Sequence, residues 1–206
     1  MIAFLKNLKK KNIFKSTVCY CLVSVTERYD IMSASIALAN YFASAKGYRT
    51  ALAVTDQDET VLRMLSEKEC ISVDPTGYKD EYLTYYCVRG SDDLKKIKCR
   101  SYERLVLASY AASFDRELQK EADQIRIFGD ISPWQYYDIR KNNSYFITDK
   151  AEGEQRSGKQ LYTASARKCD IARLMKEFGT TVIETGFIKD PYRLEKTDLI
   201  KVEKIV

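Results

Sequence analysis

The stretch Leu22 to Thr50, LVSVTERYDIMSASIALANYFASAKGYRT, decides how this chain folds. Leu22 to Thr26 is apolar and β-branched and reads as a buried strand, and Glu27 to Ile31 is a short charged loop. Met32 to Lys46 is rich in alanine and reads as a helix closed by Gly47, after which a second strand opens near Arg49. Ser33 or Ser35 is expected to cap the helix, because a hydroxyl there can accept from an early backbone N–H. Strand, loop and helix in this order are where α/β proteins seat phosphates: the first turn of a helix leaves N–H groups free and carries the positive end of its dipole. Yet Glu27 to Ile31 holds no glycine, and its two acids would repel a phosphate. The stretch therefore predicts a nucleotide-binding scaffold from which the nucleotide chemistry has been removed.

Working outward, Thr17 to Val25 (TVCYCLVSV) is apolar on both faces, as a central parallel strand must be. Thr50 to Thr55 (TALAVT) forms the second strand and runs into Asp56, Gln57 and Asp58, followed by a helix over Glu59 to Glu67. Cys70 to Val73 and Tyr82 to Arg89, separated by Asp74-Pro75-Thr76-Gly77, predict a hairpin at a sheet edge. Arg104 to Ala108 (RLVLA) is a further buried strand, with a helix from about Phe114 to Ala122. Gln124 to Phe128 (QIRIF) alternates as a strand does, and Ser132-Pro133 opens a helix through about Lys141. Tyr145 to Thr148 is expected to be a strand, Asp149 to Gln160 a polar loop, and Ala164 to Phe178 an amphipathic helix closed by Gly179. Thr181 to Glu184 makes the last strand and a helix starts at Glu195. Strands alternating with helices predict a three-layer α/β/α domain around a mainly parallel sheet.

Composition narrows what such a domain can do. With 206 residues, 45% of them hydrophobic, residues 16–206 can bury one core as a single domain. No apolar run approaches the roughly 20 residues that span a bilayer. The net charge of +5 comes wholly from residues 1–15, where Lys6, Lys9, Lys10, Lys11 and Lys15 stand without an acid; the rest of the chain balances. A general nucleic-acid-binding surface is not implied, whereas the basic segment suits peripheral contact with an anionic membrane through Lys6, Lys9, Lys10 and Lys11. Thr17, Tyr20 and Ser24 interrupt the apolar stretch that a secretory signal would need, so a cytoplasmic protein is expected. The chain has no histidine, which excludes Ser-His-Asp and Cys-His catalysis. Its six cysteines include no C-x-x-C pair, so no metal site and no cofactor is expected from them; Cys19 and Cys21 share one strand face.

Val25-Thr26, Ile36-Ala37-Leu38-Ala39-Asn40-Tyr41, Ala51-Leu52-Ala53-Val54, Tyr102 to Tyr110, Ile127-Phe128-Gly129 with Ser132-Pro133-Trp134, and Asp190-Pro191-Tyr192 resemble the ParA/MinD-type (SIMIBI class) branch of P-loop ATPases. The likeness covers most of the chain from Thr17 onward and lies in scaffold positions. In that family a loop of the form K-G-G-x-G-K-T follows the first strand; here Glu27-Arg28-Tyr29-Asp30-Ile31 stands there, about three residues shorter. The magnesium carboxylate of the family corresponds to Ala108, and Asp56 and Asp58 echo its D-x-D. The resemblance thus implies a degenerate member lacking Walker motifs, with no catalytic residues: a pseudo-ATPase that binds protein partners and pairs as a homodimer through the loop face. The alternative is a divergent nucleotide-binding switch with a vestigial pocket built from Arg28, Ser33, Asp56 and Asp58, or from the late loop Gly153 to Gln160.

Gly153-Glu154-Gln155-Arg156-Ser157-Gly158-Lys159-Gln160 spells G-x-x-x-x-G-K, but glutamine stands where a phosphate loop needs a hydroxyl for magnesium. Glu152 and Glu154 add negative charge, and the motif falls late in the topology, so it reads as a surface loop. Fifteen tyrosines, among them Tyr82, Tyr85, Tyr86, Tyr136, Tyr137, Tyr145 and Tyr162, suit both half-buried packing and protein interfaces.

Overall fold

The computed structural model describes residues 16–27, 29–55, 77–79, 83–142 and 160–206. Among the described residues eight strands form one sheet: β1 (Val18–Ser24), β2 (Thr50–Thr55), β3 (Gly77–Lys79), β4 (Thr84–Val88), β5 (Arg104–Tyr110), β6 (Gln124–Phe128), β7 (Gln160–Thr163) and β8 (Thr181–Glu184). Their order is β3-β4-β2-β5-β1-β6-β7-β8. Every pair is parallel except β3 with β4. β1 lies near the middle, with Leu22 opposite Ala108 of β5 and opposite Arg126 of β6. That position explains why β1 is apolar on both faces.

The alternation along the central strands sorts side chains into two cores. Tyr20 and Leu22 of β1, Leu52 and Val54 of β2, and Val106 and Ala108 of β5 face one side. There they pack against α1 (Ile31–Asn40) and the C-terminal α6 (Lys196–Glu203). Cys19, Cys21 and Val23, Ala51 and Ala53, and Leu105 and Leu107 face the other side, under α2 (Ser91–Lys98) and α3 (Arg116–Glu121). On that second side a further cluster, with Val25, Ile127 and Leu161 as its floor, is covered by α4 (Tyr136–Lys141) and α5 (Lys168–Phe178). The arrangement is the expected three-layer α/β/α domain with a mainly parallel sheet.

α1 is buried nearly all round, with only Ser33 of its ten residues outside the buried set. Ala34, Ala37 and Ala39 let it lie close to the sheet, and the chain continues through a π-helical turn, Tyr41–Ala45, to Gly47 at φ 69°. Asn40 donates from Nδ2 to the Pro191 carbonyl at 2.8 Å, and the Tyr41 hydroxyl donates to Glu203 at 3.0 Å, which fastens α1 to the C-terminal segment. Complete burial of a leucine such as Leu22 or Leu38 contributes about 1.5–3 kcal/mol by area.

Four elements differ from the sequence expectation. Ser91–Lys98 forms α2, burying Leu94 and Ile97; its short polar sequence hides a helix whose acids Asp92 and Asp93 sit in the first turn. Gln160–Thr163 is a strand rather than the end of a loop, and α5 starts at Lys168 instead of Ala164. The edge hairpin exists, with Gly77 opposite Tyr86, so its first strand is Gly77–Lys79. A Cβ at Gly77 would meet the Tyr85 carbonyl at 2.6 Å, so only glycine fits there. The helix expected over Glu59 to Glu67, the strands over Cys70 to Val73 and Tyr145 to Thr148, and the basic segment 1–15 lie outside the described residues.

Candidate functional site

The place where this topology would seat a phosphate is the turn from β1 into α1, at the C-terminal edge of the sheet. Its first half is held by the backbone and by Gly129. Val25 N donates to the Phe128 carbonyl at 2.8 Å, and Asn142 Nδ2 donates to the Val25 carbonyl at 2.9 Å. The Ser24 hydroxyl donates to the Thr26 carbonyl at 2.6 Å, and the Thr26 hydroxyl accepts from Asp130 N at 2.9 Å. A Cβ on Gly129 would press on Val25 at 3.2 Å and on Thr26 at 3.4 Å, which is why the turn can lie flat against β6.

The second half is closed by its own side chains. Asp30, not Ser33 or Ser35, is the N-cap of α1: its carboxylate accepts from Ser33 N at 3.0 Å and from the Ser33 hydroxyl at 2.5 Å. Ile31 N donates to the Tyr29 carbonyl at 2.9 Å. Two donors that a phosphate would need are thus taken by the chain itself, one of them by a resident negative charge. Tyr29 packs on Phe128 with ring centroids 5.4 Å apart, and Phe128 stacks on Tyr162 at 5.2 Å. Burial pushes the Tyr29 phenol up to about 12, offset in part by its hydrogen bond with the Thr185 side chain. Ser35, the other expected cap, is fully buried along α1, and its hydroxyl finds no partner among the described residues.

Beside this turn lies a cleft of about 330 Å³ between the start of α1 and the ends of β6, β7 and β8. Tyr29, Asp30, Ser33, Asp130, Thr163 and Thr185 line it, with Phe187 at its rim, three-quarters exposed. Asp130 accepts from Ser132 N at 2.9 Å and from the Ser132 hydroxyl at 3.1 Å, so both carboxylates of the cleft are oriented by neighbours. Among the described residues no lysine or arginine lines it.

The position that the resemblance sets against the family's magnesium carboxylate is placed in the sheet by register. Ala108 stands opposite Leu22 in β5, almost fully buried on the α1 side of the sheet. The next residue, Ser109, accepts from the Thr55 hydroxyl at 3.2 Å and donates to the Tyr110 carbonyl at 3.1 Å. A methyl group at Ala108 cannot hold a metal-bound water. Among the described residues no group of three or more acidic or cysteine side chains is placed to hold a metal ion.

Two of these features bear directly on the chain's likeness to known proteins: the central β1 leading through a turn into a buried α1, and a parallel order that places β5 and β6 on either side of β1. No protein-family profile and no curated protein matches the sequence, but solved structures match the fold. Over 90% of this chain and 86% of the other, it superposes on a chain of the MinC:MinD cell division protein complex of Aquifex aeolicus, with TM-score 0.55 and 12% identity. A ParA family ATPase from Chlorobium tepidum TLS matches 93% of the chain and 91% of its own, with TM-score 0.54 and 13% identity. A Borrelia burgdorferi B31 protein described as a plasmid partition protein, solved with AMPPNP, matches 93% and 97%, with TM-score 0.54 and 14% identity. The fold is that of the ParA/MinD-type P-loop NTPases. Identities this low speak for the fold alone.

Within that fold the described residues do not fit a magnesium-bound triphosphate. Asp30 occupies the helix cap, Tyr29 fills the turn, Ala108 replaces the acid, and the adjoining cleft carries two carboxylates. Of the vestigial pocket, Ser33 is found at the first turn of α1, lining the cleft and bound to Asp30; Arg28, Asp56 and Asp58 lie outside the described residues. So does the G-x-x-x-x-G-K segment apart from Gln160, whose side chain accepts from the Tyr162 hydroxyl at 2.9 Å within β7. Sequence reasoning missed Asp130 and Phe187 as cleft residues, because they come from two loops far apart in the chain. It also missed Asp30 as the cap, although Asp30 and Ser33 have the three-residue spacing of a cap and its donor.

Proposed function

We propose that this chain is a catalytically inactive pseudo-ATPase of ParA/MinD-like fold that acts in the cytoplasm as a protein-interaction or localisation module, pairing as a homodimer. The observation that carries the reading is the Asp30 cap: the carboxylate sits where a phosphate would take its backbone donors, and Tyr29 packs beneath it. Displacing both would cost the helix cap, about 1 kcal/mol, together with the packing of the half-buried Tyr29 ring. A partner-binding role is supported by the company the fold keeps, since one similar structure is a complex of two proteins, MinC and MinD. It is supported too by large apolar side chains left in solvent, Trp134, Tyr137 and Phe187 among them. Isothermal titration with ATP and magnesium tests the inactive reading: no heat of binding is expected, and micromolar affinity would sink it. Light scattering tests the pairing, which predicts a dimer indifferent to nucleotide.

One observation favours a second reading, a divergent nucleotide-binding switch. The cleft beside α1 is large enough for a small ligand and offers the hydroxyls of Ser33, Thr163 and Thr185. Its two carboxylates set it against a triphosphate, so a nucleoside without phosphates is the form this reading predicts. Titration with adenosine and guanosine beside ATP separates the two.

A further inference from the structure

The surface formed by α4 and α5 has a composition that the turn after β1 does not need. Trp134 is 82% exposed and Tyr137 72% exposed, three residues apart on the segment that opens with Ser132-Pro133. Between them Tyr136 is inserted against α5, where its ring lies 4.1 Å from the Arg173 guanidinium and 5.4 Å from that of Arg140. Glu177 locks this arrangement, accepting from the Tyr136 hydroxyl at 2.5 Å and from Arg140 at 2.7 Å. The outer aromatics therefore stand on a braced base rather than on a swinging loop.

Charge on this face is not balanced. Arg140 is paired with Glu177 and Arg167 with Asp170, whereas Lys141, Arg173 and Lys176 have no carboxylate within ion-pair distance among the described residues. Exposed tryptophan and tyrosine beside arginine belong to the residue set enriched in protein interfaces and their hot spots. Lys141 and Lys176, and Arg173, which only shares the field of Glu177, call for acidic groups on what binds. The acids Asp138, Asp170 and Glu177 are interleaved with those cations, and residues 16–206 are neutral in sum. A uniform polyanion, whether a nucleic-acid backbone or an anionic bilayer, would meet those acids as well, so a discretely patterned protein surface is the better complement.

We propose that the α4/α5 face docks an acidic amphipathic segment of a partner protein, whose apolar residues cover Trp134 and Tyr137 and whose carboxylates meet Lys141, Arg173 and Lys176. This rests on the interaction reading above and names the chemistry of the partner. Trp134 is the only tryptophan in the chain, so its fluorescence reports the contact directly. The full chain is titrated with an amphipathic glutamate-leucine peptide, with polyglutamate, with phosphatidylserine vesicles and with an oligothymidylate. The amphipathic peptide is expected to shift Trp134 emission to the blue, and Arg173→Glu and Tyr137→Ala each to weaken it about tenfold or more, as loss of a hot-spot contact does. Unchanged circular dichroism and melting of the two variants establish that they are folded. A blue shift with vesicles or oligonucleotide alone, a shift indifferent to Arg173→Glu, or no shift with the peptide overturns the proposal. ATP binding in calorimetry would overturn the inactive reading without touching this titration, so the two can fail separately.

Discussion

Two surfaces of this molecule differ in how completely they satisfy themselves. At the turn from β1 into α1, where the fold would seat a phosphate, backbone donors are consumed by Asp30 and by the Tyr29 carbonyl, and the ring of Tyr29 is sunk against Phe128. On the α4/α5 face, Trp134 and Tyr137 stand in water and three cations lack acids within ion-pair distance among the described residues. The contrast marks the exposed aromatics, together with the turn itself, as the two places at which a function can be tested.

The harshest way to break this contrast is to restore the missing acid. Ala108→Asp places a carboxylate at a position almost closed to water, on the α1 side of the sheet. Urea denaturation is expected to show a loss of about 3 kcal/mol or more, as for an uncompensated buried charge, with no recovery on adding magnesium. A tolerated substitution that magnesium stabilises would reopen the site.

Removing the resident anion is the next test. Asp30→Ala is expected to cost about 1 kcal/mol through loss of the N-cap, and Asp30→Asn, which keeps an acceptor, only a fraction of that. If the Asp30 carboxylate stands in for phosphate, inorganic phosphate should stabilise Asp30→Ala against heat and leave the wild-type chain unmoved.

A smaller effect is predicted at alkaline pH. The Tyr29 phenol is raised from 10.0 to about 12, so its burial as the neutral form contributes stability that is complete below pH 10 and is lost as pH climbs through 12. Tyr29→Phe has no proton to lose there. Wild-type stability should therefore fall more steeply than that of Tyr29→Phe between those limits, and parallel curves would show that the ring is not buried in solution. The smallest change is expected on the other surface: Trp134→Ser should leave stability within about 0.5 kcal/mol, because an 82% exposed ring holds little of the fold together.

Much of the scaffold was legible because burial leaves a periodic trace. β2 at Thr50–Thr55, β6 at Gln124–Phe128 and β8 at Thr181–Glu184 fall where the apolar and β-branched runs place them. Gly179, at φ 60°, ends α5 as expected. α2 escaped notice because only Leu94 and Ile97 of its eight residues are buried, too few to set a period. β7 escaped because Gln160 to Thr163 has just two apolar residues and earns its strand by pairing with β6 and β8. At the candidate site, the glycine-free turn and the alanine at position 108 are plain in the sequence, whereas what fills the turn is not.

By itself the sequence determined that a buried strand and an alanine-rich helix flank a turn without glycine, and that an alanine, Ala108, stands where the family resemblance sets a magnesium acid. Those are local facts, carried by residue type and spacing. Only the tertiary structure decided what fills the turn, since Tyr29 meets Phe128 and Thr185 across about a hundred and more residues of chain. It alone decided which aromatics are covered: Tyr136 and Tyr137 are neighbours in sequence, yet one is clasped between Arg140 and Arg173 while the other faces water. Exposure depends on what a second helix covers, and no pattern within one segment records that.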